Sequence, residues 1–377
     1  MRTSNWHDDE RLASIALACI SEPLDPWVGK MFVSSGAVHT IDLIRSGTSR
    51  VTHRQGMQAR LHALDLDAEL SQVEKRNMRI VTRGDAEWPT QLEDLGERVP
   101  RALWIDGSAN VRLAAATSVA IVGARACTRY GAESAYEIAS RLTTSGVRVM
   151  SGGAFGIDAA AHRGALGAGG ITVCVLACGV DVPYPRSHDA LLMQIAQQGA
   201  LVSESPLGSG VRRQRFLSRN RIIAALTRAT IVIEAASRSG SLSTAHEAEA
   251  INRVVGAMPG PITSEMSRGT HQLIRESRAV LVTSAAEVGE LISPAVTSAP
   301  TAVQGDLWFE GLGDTERAVL DALPHRKVMN LDELVLATAL SPRPILEALG
   351  SLEVAGRVCT DGSGWRVSVA PASGVRK

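Results

Sequence analysis

Short runs of β-branched residues alternate with longer amphipathic stretches through the middle of the chain, from about residue 119 to 292. The runs are SVAIVGA, VRVMSGG, ITVCVLA, ALVSES, ATIVIEA, RVVGAMP and AVLVTS, and stretches such as AESAYEIASRLTTSG between them have helical periodicity. This alternation is typical of an α/β protein with a doubly wound, mostly parallel sheet. Ligands bind such a sheet beyond the carboxyl ends of its strands, where this chain has glycine-rich turns.

The pattern changes on both sides of this region. Residues 1–78 are polar with short helical repeats and predict a small helical, SAM-like domain. Residues 79–107 predict a packed lead-in to the core, so that the core domain spans 79–292. Residues 293–306 have the nearly uncharged Pro/Ala/Ser/Thr-rich composition of a linker. The last segment, 307–377, has three helical stretches and then a hairpin signal, which is typical of a winged helix.

Charge is distributed unevenly along the chain. The total is zero, with 39 Lys and Arg against 39 Asp and Glu, and by itself gives no sign of a polyanionic partner. Residues 205–233, however, contain no acidic residue and six arginines: Arg212, Arg213, Arg215, Arg219, Arg221 and Arg228. A local basic patch can bind an anion even when the net charge is zero.

Several classes of protein are disfavoured by composition. The most apolar stretch is ITVCVLACGV, which is too short to cross a bilayer, and the polar start of the chain has no signal-peptide pattern. The five cysteines contain no CxxC pair and predict reduced thiols in a cytoplasmic protein. We find no phosphate-binding P-loop, nucleophile elbow or zinc motif, so no metal or cofactor is predicted.

The turn after the first core strand, VGARACTRYG, departs from a dinucleotide fingerprint. Gly123 fits the first glycine, but Arg125 stands where the second is needed, and its side chain would fill the space of a pyrophosphate. Arg125 either grips a phosphate itself, with Thr128 near the next helix start, or pairs with a carboxylate.

The turn after the second strand, SGGAFGIDAAAH, offers a tight loop at Gly153. Asp158 follows where a helix begins, and we favour a helix cap over an anion-site role for it. His162, one turn further on, is expected to be a packed core residue.

Later turns add basic and hydroxyl groups. Arg186 follows a Tyr-Pro turn and either points into the cleft or is solvated. Phe216 among the arginines supplies a stacking face beside phosphate-binding charge, unless it is buried. Arg219, Asn220 and Arg221 either join this surface or build the loop internally. The loop with Ser239, Gly240 and Ser241 offers amides and hydroxyls to an anion, or caps the next helix.

No reaction is selected by these residues. Glu204 and Glu234 at strand ends either act as acids or bases or pair with the arginines. The last 68 residues, 310–377, hold nine acidic and eight basic residues, and the third helical stretch has Arg343 as its one basic residue. Protein contact is therefore at least as well supported as duplex binding for the winged helix.

The strings VAIVGARACTRYG, SGGAFGIDAAAHRGAL, GVDVPYPRS, FLSRNRIIAAL, VIEAASRSGSLSTAHEA and MPGP occur in this order. Together they resemble the DNA-processing protein A family (DprA, also called Smf). The resemblance implies a Rossmann-like, non-catalytic core that binds single-stranded DNA as a homodimer and passes it to the recombinase RecA, chiefly in natural transformation.

The resemblance also implies site residues. Arg125, Arg186 and Arg213 would contact the strand, and Phe216 matches the family's aromatic position. Leu217 departs from the family's usual Pro, and His271 stands where the family has Asn.

Two other functions remain open. A nucleoside-monophosphate hydrolase of a related type would need a catalytic Glu, for which Glu247 and Glu204 are the candidates. A duplex-binding regulator would act through the winged helix.

Overall fold

The computed structural model describes residues 9–46, 52–237, 239–292, 312–324, 328–338, 340–360 and 362–368. Its contacts divide the chain into two compact units, Met1–Pro294 and Ala295–Lys377. The predicted linker, 293–306, lies outside the described residues. None of the described helices is long and apolar enough to cross a bilayer.

A nine-stranded sheet forms the middle of the first unit. Its strands are β1 (Arg79–Thr82), β2 (Ala102–Asp106), β3 (Ser118–Val122), β4 (Arg148–Gly152), β5 (Thr172–Val175), β6 (Ala200–Ser203), β7 (Ala229–Val232), β8 (Val254–Ala257) and β9 (Val280–Leu281). They lie in the order β1-β2-β6-β5-β4-β3-β7-β8-β9. The seven strands from β3 to β9 pair in parallel, and each corresponds to one predicted run. The prediction of a doubly wound, mostly parallel sheet is confirmed.

The lead-in supplies the two strands that sequence analysis did not predict. β1 pairs with β2, and β2 pairs with β6, both antiparallel. The helices of the first unit are α1 (Glu10–Ile20), α2 (Pro26–Arg45), α3 (Thr52–Ala63), α4 (Leu66–Lys75), α5 (Val111–Ala116), α6 (Arg129–Thr144), α7 (Ile157–Gly167), α8 (Asp189–Gln198), α9 (Arg213–Leu226), α10 (Gly240–Ala250), α11 (Arg268–Arg275) and α12 (Ala285–Ile292). Among the described residues, 3-10 helices span Thr90–Arg98, Arg186–His188 and Glu265–Ser267.

Strand alternation sorts the helices onto the two faces of the sheet. In β3, Val119 and Ile121 point into a core with α6, α7 and α12, whereas Ala120 and Val122 belong to a second core with α8, α9 and α10. Side chains of successive strand residues point to opposite faces, so the four apolar residues of this fully buried strand serve both cores.

The N-terminal helices share the second of these cores. Ile15 and Leu17 of α1 belong to the same buried cluster as Leu103 and Ile105 of β2. Trp104 of β2 is fully buried, and its indole N–H donates to Glu69 of α4 at 2.9 Å. The helical segment and the sheet are therefore joined by continuous apolar packing.

The second unit is a winged helix, as predicted. It contains α13 (Asp314–Ala322), α14 (Leu331–Thr338), α15 (Pro342–Val354) and the antiparallel hairpin of β10 (Val358–Thr360) and β11 (Trp365–Val367). Its small core includes Val319, Leu334, Ile345 and Leu352, one or more from each helix.

The topology fixes where a ligand crevice forms in the first unit. β3 lies between β4 and β7. The chain leaves β3 for α6 on one face of the sheet and leaves β7 for α10 on the other. The loops at the carboxyl ends of β3 and β7 therefore diverge, and this switch point is where open α/β sheets bind ligands.

Candidate functional site

A basin of about 1140 Å³ opens at this switch point. It is bounded by the loops after β3, β4 and β7 and by the start of α9 and α10. Nine of the predicted site residues line it: Gly123, Arg125, Arg213, Phe216, Arg219, Asn220, Ser239, Gly240 and Ser241. A small side pocket of about 80 Å³ adjoins it, and Gly153 lines that pocket together with Phe155 and Tyr184.

Glycines have no side chain and so let the loops after β3 and β4 approach each other. A Cβ on Gly123 would stand 2.5 Å from Cγ1 of Ile157, so no larger residue fits there without movement. Gly156, the N-cap of α7, has a φ of 76°, in the left-handed region that glycine adopts most easily. The glycines of the predicted turns thus shape the wall of the basin.

Arg125 and Phe216 form the rim. The guanidinium carbon of Arg125 lies 5.0 Å from the centroid of the Phe216 ring, within cation–π range. The Tyr184 ring packs against the other side of this group, 5.7 Å from Phe216. Arg125 is exposed, and no described carboxylate lies within ion-pair distance of it. Its edge N–H groups are therefore available to a ligand.

Arg219 forms the floor. Its guanidinium donates to the carbonyl of Val175 and, at 3.4 Å, to Oδ1 of Asn220. A Cβ on Gly152 would collide with the guanidinium nitrogens, so the bare backbone of β4 makes room for this side chain. Burial lowers the pKa of Arg219, and the nearby carboxylate of Asp158 counteracts that effect.

Asp158 does not cap α7, contrary to the sequence-based expectation. Its carboxylate accepts from the backbone N–H of Ala154, at 3.3 Å, and thereby closes the loop before the helix. Burial raises the pKa of Asp158, while the charge of Arg219 lowers it. Asp158 is thus the counter-charge of the basin floor. His162 is a core residue, as expected: burial lowers its pKa to about 4, and its ring bonds to Thr172 and to the carbonyl of Gly152.

The six arginines of the basic run have different surroundings. Arg212 and Arg215 bind Glu22, Arg219 lies in the floor, and Arg228 donates to the carbonyl of Ile292. Arg213 is exposed, lines the basin and has no ion pair with any described residue. Of this run, Arg213 is the arginine that combines exposure at the basin with an uncommitted charge.

Arg221 belongs to the framework. Its side chain is fully buried and makes a two-pronged contact with Glu204, at 2.7 and 2.6 Å. It also donates to the carbonyls of Arg98 and Ser218. These bonds engage the guanidinium away from the basin, so Arg221 supports α9 and does not reach a ligand there.

Thr128 and Glu234 engage each other. The Thr128 hydroxyl and amide donate to the two carboxylate oxygens of Glu234, at 2.5 and 2.8 Å, and the hydroxyl caps α6 by accepting from Gly131. Thr128 therefore holds the loop and does not line the basin. Glu234 is thus engaged by Thr128, and it forms no ion pair with a described arginine.

The remaining predicted positions are Arg186 and the start of α10. Arg186 is exposed and directly follows Pro185, which lines the side pocket. Ser239 is the N-cap of α10, and its Oγ accepts from the amide of Ser241 at 3.4 Å. The positive end of α10 thus faces the basin beside these hydroxyls.

Sequence reasoning missed two aromatic residues of the site. The structure also places the two departures from the family pattern, Leu217 and His271. Tyr184 and Phe155 flank the side pocket, and a tyrosine in the Tyr-Pro turn was the available signal for the first of them. Leu217, in place of the family's Pro, is exposed at the basin. His271 contacts the carbonyl of Gly260 at 3.0 Å.

The two carboxylates that a hydrolase would need are both engaged by arginines. Glu247 is ion-paired with Arg98 at 2.5 Å, and Glu204 is held by Arg221. Neither lines the basin. In the winged helix, Arg343 is paired with Glu347 at 3.1 Å, and both side chains are exposed. In the described part of the chain, no group of three or more potential metal ligands comes together.

Fold and site define an α/β protein with a switch-point basin, followed in sequence by a winged helix. The family model of DNA recombination-mediator protein A matches residues 79–293, and that of the DprA winged helix domain matches 308–364. The chain therefore belongs to the DNA recombination-mediator protein A family, DprA or Smf.

Similar proteins and solved structures carry the same family name. A Mycobacterium tuberculosis protein named as DNA processing protein DprA is 39% identical over 364 residues, which are 93% of this chain and 92% of the relative. The X-ray structure of DprA from Streptococcus pneumoniae aligns with a TM-score of 0.59 at 35% identity, covering 67% of this chain and 87% of that one. The structure of Helicobacter pylori DprA, described for its single-stranded DNA binding mode, aligns with a TM-score of 0.51 at 27% identity. The alignment covers 56% of this chain and 95% of that one.

Replacement of Arg221 by Ala should destabilise the protein. It would leave the carboxylate of Glu204 buried without its partner, which costs about 3–5 kcal/mol in comparable pairs. Denaturant unfolding measures the loss of free energy. The control is Arg141→Ala, which removes an exposed pair with Glu137 and should cost less than about 1 kcal/mol. Equal stability of the two variants would contradict the framework role of Arg221.

Proposed function

We propose that the chain binds single-stranded DNA in the basin and is not an enzyme. The observation that carries this proposal is the Arg125–Phe216 pair, an exposed guanidinium stacked on a half-buried aromatic ring at the rim of the crevice. Binding of single strands requires positive charge for phosphates and aromatic faces for unpaired bases. Both are present within one group, and the named binding mode of the Helicobacter pylori relative supports the same ligand.

The proposal assigns a role to each part of the surface. Arg125, Arg213 and Arg186 bind phosphates, helped by backbone amides near Gly123 and Gly153. Asn220 and the α10 start, with Ser239, Gly240 and Ser241, line the path, and a base stacks on Phe216 beside Tyr184. Phosphate and stacking contacts carry little base identity, so sequence preference should be weak. Arg219 and Asp158 keep the floor rigid below the strand.

Substitution of the rim should weaken binding of a labelled oligonucleotide, measured by anisotropy at several salt concentrations. Phe216→Ala loses a stacked base, worth about 1–3 kcal/mol, or roughly 5- to 150-fold in affinity. Arg125→Ala and Arg213→Ala each lose a phosphate contact. Each should therefore also reduce the slope of log affinity against log salt by about 0.7. The matched control is Arg141→Ala, at the far end of α6.

Three outcomes would overturn the assignment. Binding that is indifferent to Arg125 and Phe216 would place the DNA elsewhere. A preference for duplex would direct attention to the winged helix. Hydrolysis of a nucleoside monophosphate that disappears in Glu247→Gln would restore the enzyme alternative.

We also propose that the bound strand is handed to RecA, as in natural transformation. The recombination-mediator family supports this role. The role requires a cytoplasmic location, which the five free thiols support. Wild-type protein should shorten the lag of labelled RecA assembly on single strands coated with single-strand-binding protein, and Arg125→Ala should not. An unchanged lag with wild type would refute the hand-over while leaving DNA binding intact.

A homodimer is proposed as the binding form. β9 ends the sheet, and its Val280 and Leu281 side chains are about half exposed, so the edge offers unpaired backbone and apolar surface to a second copy. Light scattering should give twice the chain mass for wild type and a single chain mass for Val280→Asp. The control Leu113→Asp, exposed on α5, should keep the doubled mass. A monomeric wild type would refute the proposal.

A further inference from the structure

A second basic surface lies beside the basin. It is a groove of about 200 Å³ between the end of α1, the loop after β6 and the start of α9. Three arginines line it, Arg60, Arg212 and Arg215, and we refer to it as the arginine groove. Ser205 and Ser209 add hydroxyl groups. None of these residues belongs to the lining of the basin.

One carboxylate covers two of the three arginines. Glu22, in the segment between α1 and α2, accepts from Arg212 at 2.7 Å and from Nη2 and Nε of Arg215 at 3.0 and 3.1 Å. Glu204 also lines the groove, but its two oxygens are bound by Arg221. Glu22 is therefore the acid that neutralises the groove.

The groove adjoins the basin at the start of α9. Arg212 is the N-cap of α9 and lines the groove, and Arg213, the next residue, lines the basin. Consecutive Cα atoms are about 3.8 Å apart, so the two surfaces meet at this helix start. No side chain caps α9, and its positive end adds to the charge there.

The two ion pairs of Glu22 differ in exposure. The side chains of Glu22 and Arg212 are 48% and 64% exposed, whereas that of Arg215 is 13% exposed. Exposed ion pairs contribute little to stability and are screened by salt, so a phosphate can replace the carboxylate on Arg212 at small cost. Arg60 is exposed and donates through Nε to the carbonyl of Ile20, at 2.6 Å. Its guanidinium would be a third charge along the same path.

We propose that the arginine groove is a second phosphate-binding surface for single-stranded DNA, and that Glu22 competes with the strand for it. This inference rests on the proposed function: a strand that leaves the basin past Arg213 continues along Arg212 and Arg215 and displaces the Glu22 carboxylate. The N-terminal segment thereby lowers the affinity of the protein for long single strands.

Glu22→Gln tests the competition. In anisotropy titrations of the full-length protein with oligothymidylates, the variant should bind a long strand about three- to tenfold more tightly than wild type, because two arginines are released. The slope of log affinity against log salt should steepen by up to about 1.4, or 0.7 for each new phosphate contact. In wild type Glu22 occupies the groove, so the groove should add little to the affinity for a long strand. Arg212→Ala alone should therefore lower that affinity only slightly.

The matched control is Asp94→Asn. Asp94 is as exposed as Glu22, and it also pairs with an arginine, Arg253, at 2.6 Å, outside the basin and the groove. Both variants remove one negative charge, so a gain confined to Glu22→Gln cannot come from net charge. The triple variant Glu22→Gln/Arg212→Ala/Arg215→Ala should return to wild-type affinity.

Strand length separates the groove from the basin. Single-strand sites on OB folds span roughly 4–16 nucleotides, and we use the same range of lengths here. The gain in Glu22→Gln should appear for the long end of this range and vanish for the short end. The inference would be overturned if Glu22→Gln increased the affinity equally at every strand length. It would also be overturned if Glu22→Gln gave no increase while Arg125→Ala still weakened binding. In both cases the proposed function would stand. No binding by wild type at any length would overturn the proposed function itself.

Discussion

Arg219 carries a full charge into the end of the sheet, where little water reaches it, and the rest of the site depends on how that charge is held. An unpaired buried guanidinium would be costly. Here the carbonyl of Val175, the amide oxygen of Asn220 and the charge of Asp158 meet it, and the bare backbone of Gly152 makes room. These contacts anchor Arg219 of α9 at the end of the sheet, and the residue one turn earlier, Phe216, lies at the rim.

The helical periodicity of α9 then determines which surface each arginine faces. Arg213, Phe216 and Asn220 are three and four residues apart and line the basin together. Arg212 and Arg215 repeat the spacing on another side and line the groove. Arg221 falls toward the core and needs Glu204. One run of basic residues thus serves a ligand surface, a covered surface and the framework, because each position faces a different neighbour.

Much of this architecture could be predicted from the sequence. β-branched runs marked the seven strands β3 to β9, and a parallel sheet fixes where their loops gather. β1 and β2 were missed because RIVT and ALWID are short and lie among helical and proline-containing segments. The role of a candidate residue could not be predicted where its partner is distant in sequence. Glu234 lies 106 residues from Thr128, and Glu22 lies 190 residues from Arg212. Local spacing contains no information about such pairs.

A net charge of zero is compatible with binding a polyanion, since affinity depends on the charges that remain free along its path. Most described arginines near the basin are committed: Arg221 to Glu204, Arg98 to Glu247, and Arg212 and Arg215 to Glu22. The first of these pairs is buried, whereas the pair between Arg212 and Glu22 is exposed. Free positive charge is therefore a property of the folded surface, set by which ion pairs a phosphate can replace. In the proposed competition, Glu22 brings the helical N-terminal segment into that balance, although the segment lies outside the basin.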